Sequence, residues 1–552
     1  MRQKLYIIIF LFILAIGFFL RFYKLGEVPF GFYQDESAIG YNAYSLLTTG
    51  KDEHGVVFPL YFKSFGDYKL PVYIYTVIPA IMLFGVTEFA VRFPSAFFGF
   101  LTLPLMYFLV FKLTRNKLLA LIAFVLLTIN PWHLHYNRAA FEVSIALFFF
   151  MLGTLLLLLS FEKKIRGGLF LGTLCFIISL YSYNLTRLLA PVLYMLCFVF
   201  LVRNKHIDKK EVFFTGIISF ILLIPFFQTF LSKGGISSAG GTLMFSSAVV
   251  KASLIEMRNY LVDAPWILKS FLFSPAVLLI WQYIQNIAAY LSVPFFFISG
   301  SSHGNHGIGN MGQFYLFELP LMIMGFIAAL KEKKYWLKFV ASFAIATLLV
   351  ASFTRDIPQA TRSFFLLFPL ELISAYGLIA VSRIRLTAFL AITVFIFYNI
   401  LFYFTSYYLR FPTLYAKQWR QQDKLLSLYL NEHAKDYEKI IIDNGSGFIY
   451  SSLLFFTAYS PAKFQKEAVW EKADSEGMSK PVSFGKYLFK DIDWTKDMKP
   501  RNLLVVSPNK RPVDILRKTY FSYPQRPVVV AVKQEISSYI FVEDAYEIIE
   551  GQ

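Results

Sequence analysis

The sequence predicts a polytopic α-helical membrane protein of about eleven transmembrane helices, with juxtamembrane helices and a small α/β domain after the last span. Three observations predict it. Hydrophobic residues make up 57% of the 552 positions, charged residues only 16%, and the mean hydropathy is +0.55. Apolar runs recur at 5–22, 71–86, 93–111, 118–131, 143–161, 168–182, 188–202, 212–231, 314–330, 336–353, 364–382 and 387–408. From about residue 412 the composition turns soluble, which divides the chain into a membrane domain, 1–411, and a soluble domain, 412–552.

The first run, MRQKLYIIIFLFILAIGFFLRFYKLG, has the charge and apolar core of a signal peptide but no small-residue cleavage site. It approaches the roughly 20 residues of a span, so it reads as an uncleaved first helix. The run 71–86 is short, contains Pro71 and Pro79, and follows directly on a polar loop. If it does not cross, the basic turns 112–117, 162–166, 203–210, 331–334 and 383–385 all share the side of Arg2 and Lys4. That satisfies the positive-inside rule and predicts a multi-pass cell-membrane protein with a cytoplasmic N-terminus. The outer loops 23–92 and 232–313, and the C-terminal domain, are then extracytoplasmic.

Within 232–313 the apolar stretch 271–297 is expected to lie at the interface as one or two helices. Its Gly-rich flanks, the second carrying His303 and His306, are expected to be mobile. In the C-terminal region, β-rich runs at 439–443, 502–507, 527–533 and 538–542 follow a helical segment, 425–437. The net charge of +18 belongs mostly to the membrane part: from Arg410 onward 21 Lys+Arg face 18 Asp+Glu. A nucleic-acid partner is therefore not expected. Cys175 and Cys197 lie in apolar runs, so no disulfide is expected.

The most informative polar stretch is 31–71, GFYQDESAIGYNAYSLLTTGKDEHGVVFPLYFKSFGDYKLP. It opens on Asp35 and Glu36 at the start of a helix expected over 37–48, and closes on Asp67-Tyr68-Lys69-Leu70-Pro71. A carboxylate and a cation held just outside a membrane suit a sugar donor carried on a lipid phosphate. The plain alternative makes Asp35 a helix N-cap. The predicted topology places Asp35, Glu36, Lys69, Arg92, Arg138, Glu142, Arg187, His303, His306, Arg355 and Arg362 on the outer face, and such gathering marks a site. Arg92 also reads as an anchor at a span end, and Arg138 with Glu142 as an i,i+4 pair. His303 and His306 have metal-ligand chemistry but no further ligand at suitable spacing. A divalent metal stays open, and no other cofactor is called for.

Asp35-Glu36 after the first span, Lys69-Leu70-Pro71, Arg92-Phe93-Pro94-Ser95, Asn130-Pro131-Trp132, Arg138 with Glu142, and Thr186-Arg187 together resemble the lipid-phosphate-sugar-dependent glycosyltransferases of the GT-C fold. The resemblance covers roughly 5–400 and is to the branch of the protein O-mannosyltransferases and lipid A aminoarabinose transferases (glycosyltransferase family 39-like). Two positions depart from the pattern: Lys-Leu-Pro stands where the family often has Lys-Pro-Pro, and Arg187 where the aminoarabinose enzymes tend to have Lys. The resemblance implies a polyprenyl-phosphate sugar donor, membrane lipids around the protein, and an acceptor that is a protein, lipid or cell-surface glycan.

Such a reaction needs a base for the acceptor hydroxyl and cations for the leaving phosphate. Asp35 is the expected base, resembling the family's catalytic aspartate, with Glu36 tuning or orienting it. Lys69, Arg138, Arg187, Arg355 and Arg362 are the expected phosphate contacts. Glu142 or Asp67 would be the acceptor-side or second carboxylate. A flippase or transporter, and a polymerase or ligase of lipid-linked glycans, are the alternative readings. A transporter should show charged residues at mid-depth and repeated halves, and neither is evident in the sequence.

Overall fold

The computed structural model describes residues 2–65, 67–162, 165, 167–202, 209–231, 243–244, 248–260, 265–271, 274–301, 303–381, 386–443, 448–473, 479–493, 495–497, 499–506 and 547–550. The expected strands at 527–533 and 538–542 lie outside them. The described chain groups into two compact units that follow space rather than chain order. One comprises Met1–Tyr23, Leu70–Tyr73 and Phe93–Tyr407; the other comprises Lys24–Lys69, Ile74–Arg92 and Tyr408–Gln552.

The first unit is helical. Its elements include α1 (Arg2–Phe22), most of α4 (Glu88–Thr114), α5 (Lys117–Ile129), α6 (Pro131–Tyr136), α7 (Glu142–Phe161), α8 (Gly168–Leu180), α9 (Thr186–Val202) and α10 (Lys209–Phe230). It continues with α11 (Ala248–Asn259), α12 (Trp266–Phe271), α13 (Pro275–Tyr290), α14 (Glu318–Lys331), α15 (Tyr335–Ser352), α16 (Ala360–Ser363), α17 (Leu367–Val381) and α18 (Leu386–Thr405).

Among the described residues of the whole chain, eight helices are long and apolar enough to cross a membrane, and Pro71–Phe84, Lys117–Ile129, Gly168–Leu180 and Thr186–Val199 are shorter apolar helices. One of the eight is Pro275–Ile298, where interfacial helices were expected. A short π-helical turn, Pro294–Ile298, extends α13 and lengthens its apolar run beyond what Pro294 suggests in the sequence. Phe213, Phe214 and Phe220 on α10 are exposed, as lipid-facing side chains are. Small residues let helices approach closely: α14 and α17 meet backbone to backbone at Gly325 and Gly377, where an added Cβ would lie 2.1 Å from Ile373 O or 1.9 Å from Leu321 O.

The second unit is α/β. A hairpin, β1 (Phe62–Ser64) with β2 (Asp67–Lys69), is antiparallel, with Phe62 opposite Lys69. A six-stranded sheet runs in the order β4-β5-β6-β3-β7-β8. Its strands are β3 (Lys439–Ile442), β4 (Val469–Trp470), β5 (Pro481–Phe484), β6 (Tyr487–Phe489), β7 (Asn502–Val506) and β8 (Glu547–Glu550). The central β3 is parallel to both neighbours and reads as an apolar run, Lys-Ile-Ile-Ile, because both of its faces are covered. The core joins Ile440, Ile442, Leu503 and Val505 of the sheet to Leu426 and Leu430 of α19 (Gln421–His433) and Leu453 of α20 (Ile449–Phe456). Ala38 and Tyr41 of α2 (Gln34–Thr49) belong to the same core. The helix bearing the two leading carboxylates is therefore held by the C-terminal sheet.

Candidate active site

The site in the second unit is built on the first turn of α2. The helix begins at Gln34 with Tyr33 as N-cap, three residues earlier than the sequence suggested. Glu36 causes the early start: its Oε2 accepts from the Tyr33 backbone N–H at 3.1 Å, satisfying a donor the helix end leaves open. Asp35 therefore lies inside the first turn, where the helix dipole favours a carboxylate, and is not the N-cap.

Two adjacent carboxylates then diverge. Glu36 is buried and clamped by Arg92, with Nε to Oε1 and Nη2 to Oε2 both at 2.9 Å and side-chain exposures of 3% and 0%. Arg92 also donates to Leu25 O at 3.2 Å, Pro29 O at 3.1 Å and Gly31 O at 2.8 Å. Its guanidinium lies 5.5 Å from the Phe32 ring and 5.9 Å from that of Trp419. Arg92 thus fixes the loop leading into α2, a larger role than anchoring a span end. Asp35, on the next position round the helix, is 39% exposed and receives Lys69 Nζ on Oδ1 at 2.7 Å. Lys69 itself is only 6% exposed, delivered by the last residue of β2. The geometry is a buried ammonium behind an accessible carboxylate. Asp67 pairs with Ser64 in the hairpin register, and its side chain lies outside the described residues.

Sequence reasoning missed a buried turn at Asp52-Glu53-His54. Asp52 Oδ1 accepts from the backbone N–H of His54 at 2.9 Å and of Val56 at 2.8 Å. Asn42 on α2 accepts from the Glu53 N–H at 3.0 Å and donates to Glu53 Oε1 at 3.3 Å. Burial pushes the Glu53 carboxyl up to about 8. The His54 ring lies 4.3 Å from that of Trp470, and burial pulls its pKa down to about 4. The cue was the polar run GKDEHG, which carries no recognisable ligand spacing.

The first unit holds the other expected site residues. Arg138 Nη1 donates to Leu20 O at 2.8 Å and Arg21 O at 3.3 Å, closing the C-terminal end of α1. Arg138 and Glu142 do not share a helix, since α6 ends at Tyr136 and Glu142 begins α7. Arg187, in the first turn of α9, lies 5.6 Å from the Phe226 ring. Arg355 and Arg362 both approach Asp356 Oδ2, at 3.4 and 3.7 Å.

The His303–His306 loop is tied down. His306 Nδ1 is 3.0 Å from Thr361 Oγ1 and 3.3 Å from the Tyr136 hydroxyl, and His135 Nε2 is 2.8 Å from Asn305 O. Burial first, then the charges of His303, His135 and Arg362, hold the His306 pKa down at about 3. Its ring is 6.2 Å from that of His303. Among the described residues, no group of three or more His, Cys, Asp or Glu is placed to hold a metal ion. Cys175 and Cys197 are both free and buried.

Buried charge inside the helical unit also departs from the sequence reading. Glu371 lies within a candidate span and Arg21 in another, and both are fully buried. Their neighbours in the chain are apolar, so hydropathy averages them away.

Residues 11–233 match the family model of the dolichyl-phosphate-mannose-protein mannosyltransferases. A search of curated sequences finds no match. Among solved structures, the chain is similar to ArnT from Cupriavidus metallidurans bound to undecaprenyl phosphate, with a TM-score of 0.54 and 10% identity over 98% of either chain. The apo form of ArnT matches with a TM-score of 0.50 and 11% identity, over 95% of this chain and 96% of that one. The Archaeoglobus fulgidus oligosaccharyltransferase, in complex with zinc and sulfate, matches at a TM-score of 0.47 and 12% identity over 81% of this chain. The chain spans 61% of that protein's length. The chain is thus a polytopic membrane protein with the GT-C fold, similar over residues 11–233 to the dolichyl-phosphate-mannose-protein mannosyltransferases.

Proposed function

We propose that the protein is a membrane glycosyltransferase that moves a sugar from a polyprenyl-phosphate donor to a hydroxyl-bearing acceptor on the extracytoplasmic face. The observation that carries the reading is the Asp35–Lys69 pair, an accessible carboxylate 2.7 Å from a nearly buried ammonium. The acceptor oxygen attacks the anomeric carbon, the bond from that carbon to the phosphate oxygen breaks, and the polyprenyl phosphate departs with the electron pair. Asp35 takes the acceptor's proton. Lys69 orients Asp35 through their 2.7 Å pair, and its ammonium sets positive charge beside the leaving phosphate, where negative charge develops. Glu36 is a positioning residue: with Arg92 it sets the first turn of α2, and so the direction of Asp35. Arg187, Arg138, Arg355 and Arg362 are the further arginines proposed for the donor phosphate, and Glu142 or Asp67 for the acceptor side.

The test is transfer by purified protein in detergent, given a polyprenyl-phosphate sugar and a hydroxyl acceptor, with product read by mass spectrometry. Detergent leaves no bilayer between two compartments, so a flippase gives no product. Sugar on the acceptor supports the proposal; none across the common hexosyl and pentosyl donors overturns it.

A further inference from the structure

A second pair of carboxyls lies in the helical unit, and the glycosyl-transfer reading makes no use of it. Glu318 opens α14 and Glu371 lies in α17, at 1% and 0% exposure. Each precedes, by about two helical turns, the glycine at which the two helices touch, Gly325 and Gly377. Glu371 Oε1 accepts from Asn130 Nδ2 at 2.8 Å, and Glu318 Oε1 accepts from the Tyr315 backbone N–H at 3.2 Å. The second oxygen of each, Oε2, is buried with no hydrogen-bond partner within 3.5 Å, and the neutral Ser374 hydroxyl, one turn beyond Glu371, lies on the side of Glu318. The two carboxyls stand on the two helices that touch at those glycines, and among the described residues no cation is paired with either.

Among the described residues the surroundings supply no charge to balance them. From the exit of α5 comes the neutral Asn130. On the α14 side, Tyr315 spends its hydroxyl on Ile129 O at 2.8 Å, and its ring is 6.0 Å from that of Tyr403 on α18. Arg21 of α1 reaches the end of α5, from which Asn130 follows. Its guanidinium is committed to Thr128 O at 3.3 Å, Leu127 O at 3.4 Å, Gly17 O at 3.1 Å and His133 Nδ1 at 2.7 Å. Two ionised carboxylates in a low-dielectric interior, without a cation and beside each other, would cost several kcal/mol each before their mutual repulsion.

We propose that Glu318 and Glu371 form a proton-binding site, an acid pair that holds a proton between α14 and α17 at neutral pH. The proton occupies an otherwise unpartnered Oε2 and donates to the facing oxygen. The neutralised pair joins α14 to α17 and, through Asn130, to the end of α5. A Na⁺ ion would satisfy the same oxygens, and the test separates the two.

The experiment is infrared spectroscopy of the intact protein in detergent at pH 8, comparing the parent with Glu318→Gln/Glu371→Gln in H₂O and D₂O. Glutamine copies a protonated carboxyl in shape and charge, so the double variant should retain the parent's melting temperature. The expected result is a protonated-carboxyl carbonyl band in the parent, over and above the Glu53 contribution both proteins share, that shifts in D₂O, is unchanged when NaCl replaces choline chloride, and is missing from the variant. Identical carbonyl regions in the two proteins would overturn the proposal. So would a band that vanishes on adding NaCl, which would make the pair a sodium site. If the double variant does not fold, the parent is treated with dicyclohexylcarbodiimide, which modifies protonated carboxyls in apolar surroundings. An adduct on the Glu318 or Glu371 peptide at pH 8 supports the proposal, and unmodified peptides overturn it.

Discussion

The first turn of α2 and the contact between α14 and α17 each bring two glutamate or aspartate side chains close together, and the two regions settle the charge differently. At α2 each carboxylate has its own cation, Lys69 for Asp35 and Arg92 for Glu36. At α14 and α17 neither carboxyl has one among the described residues, and a neutral amide and a backbone N–H donate to them. Paired charge can stay ionised and act as a base or a fixed strut. Unpaired buried charge must take up a proton or another cation. Within the α2 region exposure divides the labour again: the accessible pair can meet a substrate, and the sealed pair holds the backbone.

The comparison can be broken at several points. The largest effect is expected for Arg92→Met, which strands the buried Glu36 charge and frees the carbonyls of Leu25, Pro29 and Gly31. Breaking a buried pair from one side costs about 3–5 kcal/mol, so thermal unfolding in detergent should show a severe loss of folded protein. Arg92→Met/Glu36→Gln should recover part of it. An Arg92→Met variant as stable as the parent would remove the strut.

Lys69→Met should lower transfer by about 10²–10³-fold, the scale seen when one donor to a developing negative charge is removed. Lys69→Arg should lose less, and a rate unchanged in Lys69→Met would separate Lys69 from the phosphate. Both are read in the detergent transfer assay with folding checked by gel filtration.

A smaller effect tests the buried turn. Glu53 carries its carboxyl pKa at about 8 in the fold against 4.5 in its unperturbed state. A folded pKa above the unfolded one means the acid form is preferred in the fold. That contribution is whole below about pH 4.5 and is lost as pH rises through 8. The parent's melting temperature should therefore fall between pH 6 and pH 8 more steeply than that of Glu53→Gln; equal slopes would show that Glu53 does not carry it. The smallest effect belongs to Arg355→Ala. Its partner Asp356 is exposed, so the pair is worth within about 0–1 kcal/mol, and the melting temperature should barely move.

What the sequence revealed follows the physics that acts locally. Apolar runs of helical length, the first of them at the N-terminal end, and the strands at 439–443 and 502–507 come from hydropathy and turn chemistry, and they appear as α1, β3 and β7. Asp35 and Lys69, 34 positions apart, were singled out by residue type and by resemblance, and the structure brings them to 2.7 Å.

The remainder depends on contacts that no window of sequence contains. The sequence put Glu36 beside Asp35 but could not show that Arg92, 56 positions away, clamps it, because a buried carboxylate needs a cation. Arg138 and Glu142 were expected one helical turn apart, and the structure breaks the helix between them and sets Arg138 Nη1 on the carbonyls ending α1. Glu318 and Glu371 were overlooked because one glutamate in an apolar run barely alters its average hydropathy. The loop of His303 and His306 was expected to be mobile from its glycines, and its sequence could not show that His306 lies against Thr361 and Tyr136, far away in the chain.

The central claim is that Asp35 is the base and that Glu36, beside it, is not. It is tested most directly by the transfer rate of Asp35→Asn against that of Glu36→Gln, both purified in detergent and normalised to folded protein. Asparagine preserves the shape of the side chain but cannot take a proton. The account predicts that Asp35→Asn unfolds within a few degrees of the parent and loses about 10²–10⁴-fold in transfer. Glu36→Gln should transfer at close to the parent's rate per folded molecule but melt at a clearly lower temperature. Transfer by Asp35→Asn within a few-fold of the parent would contradict the account.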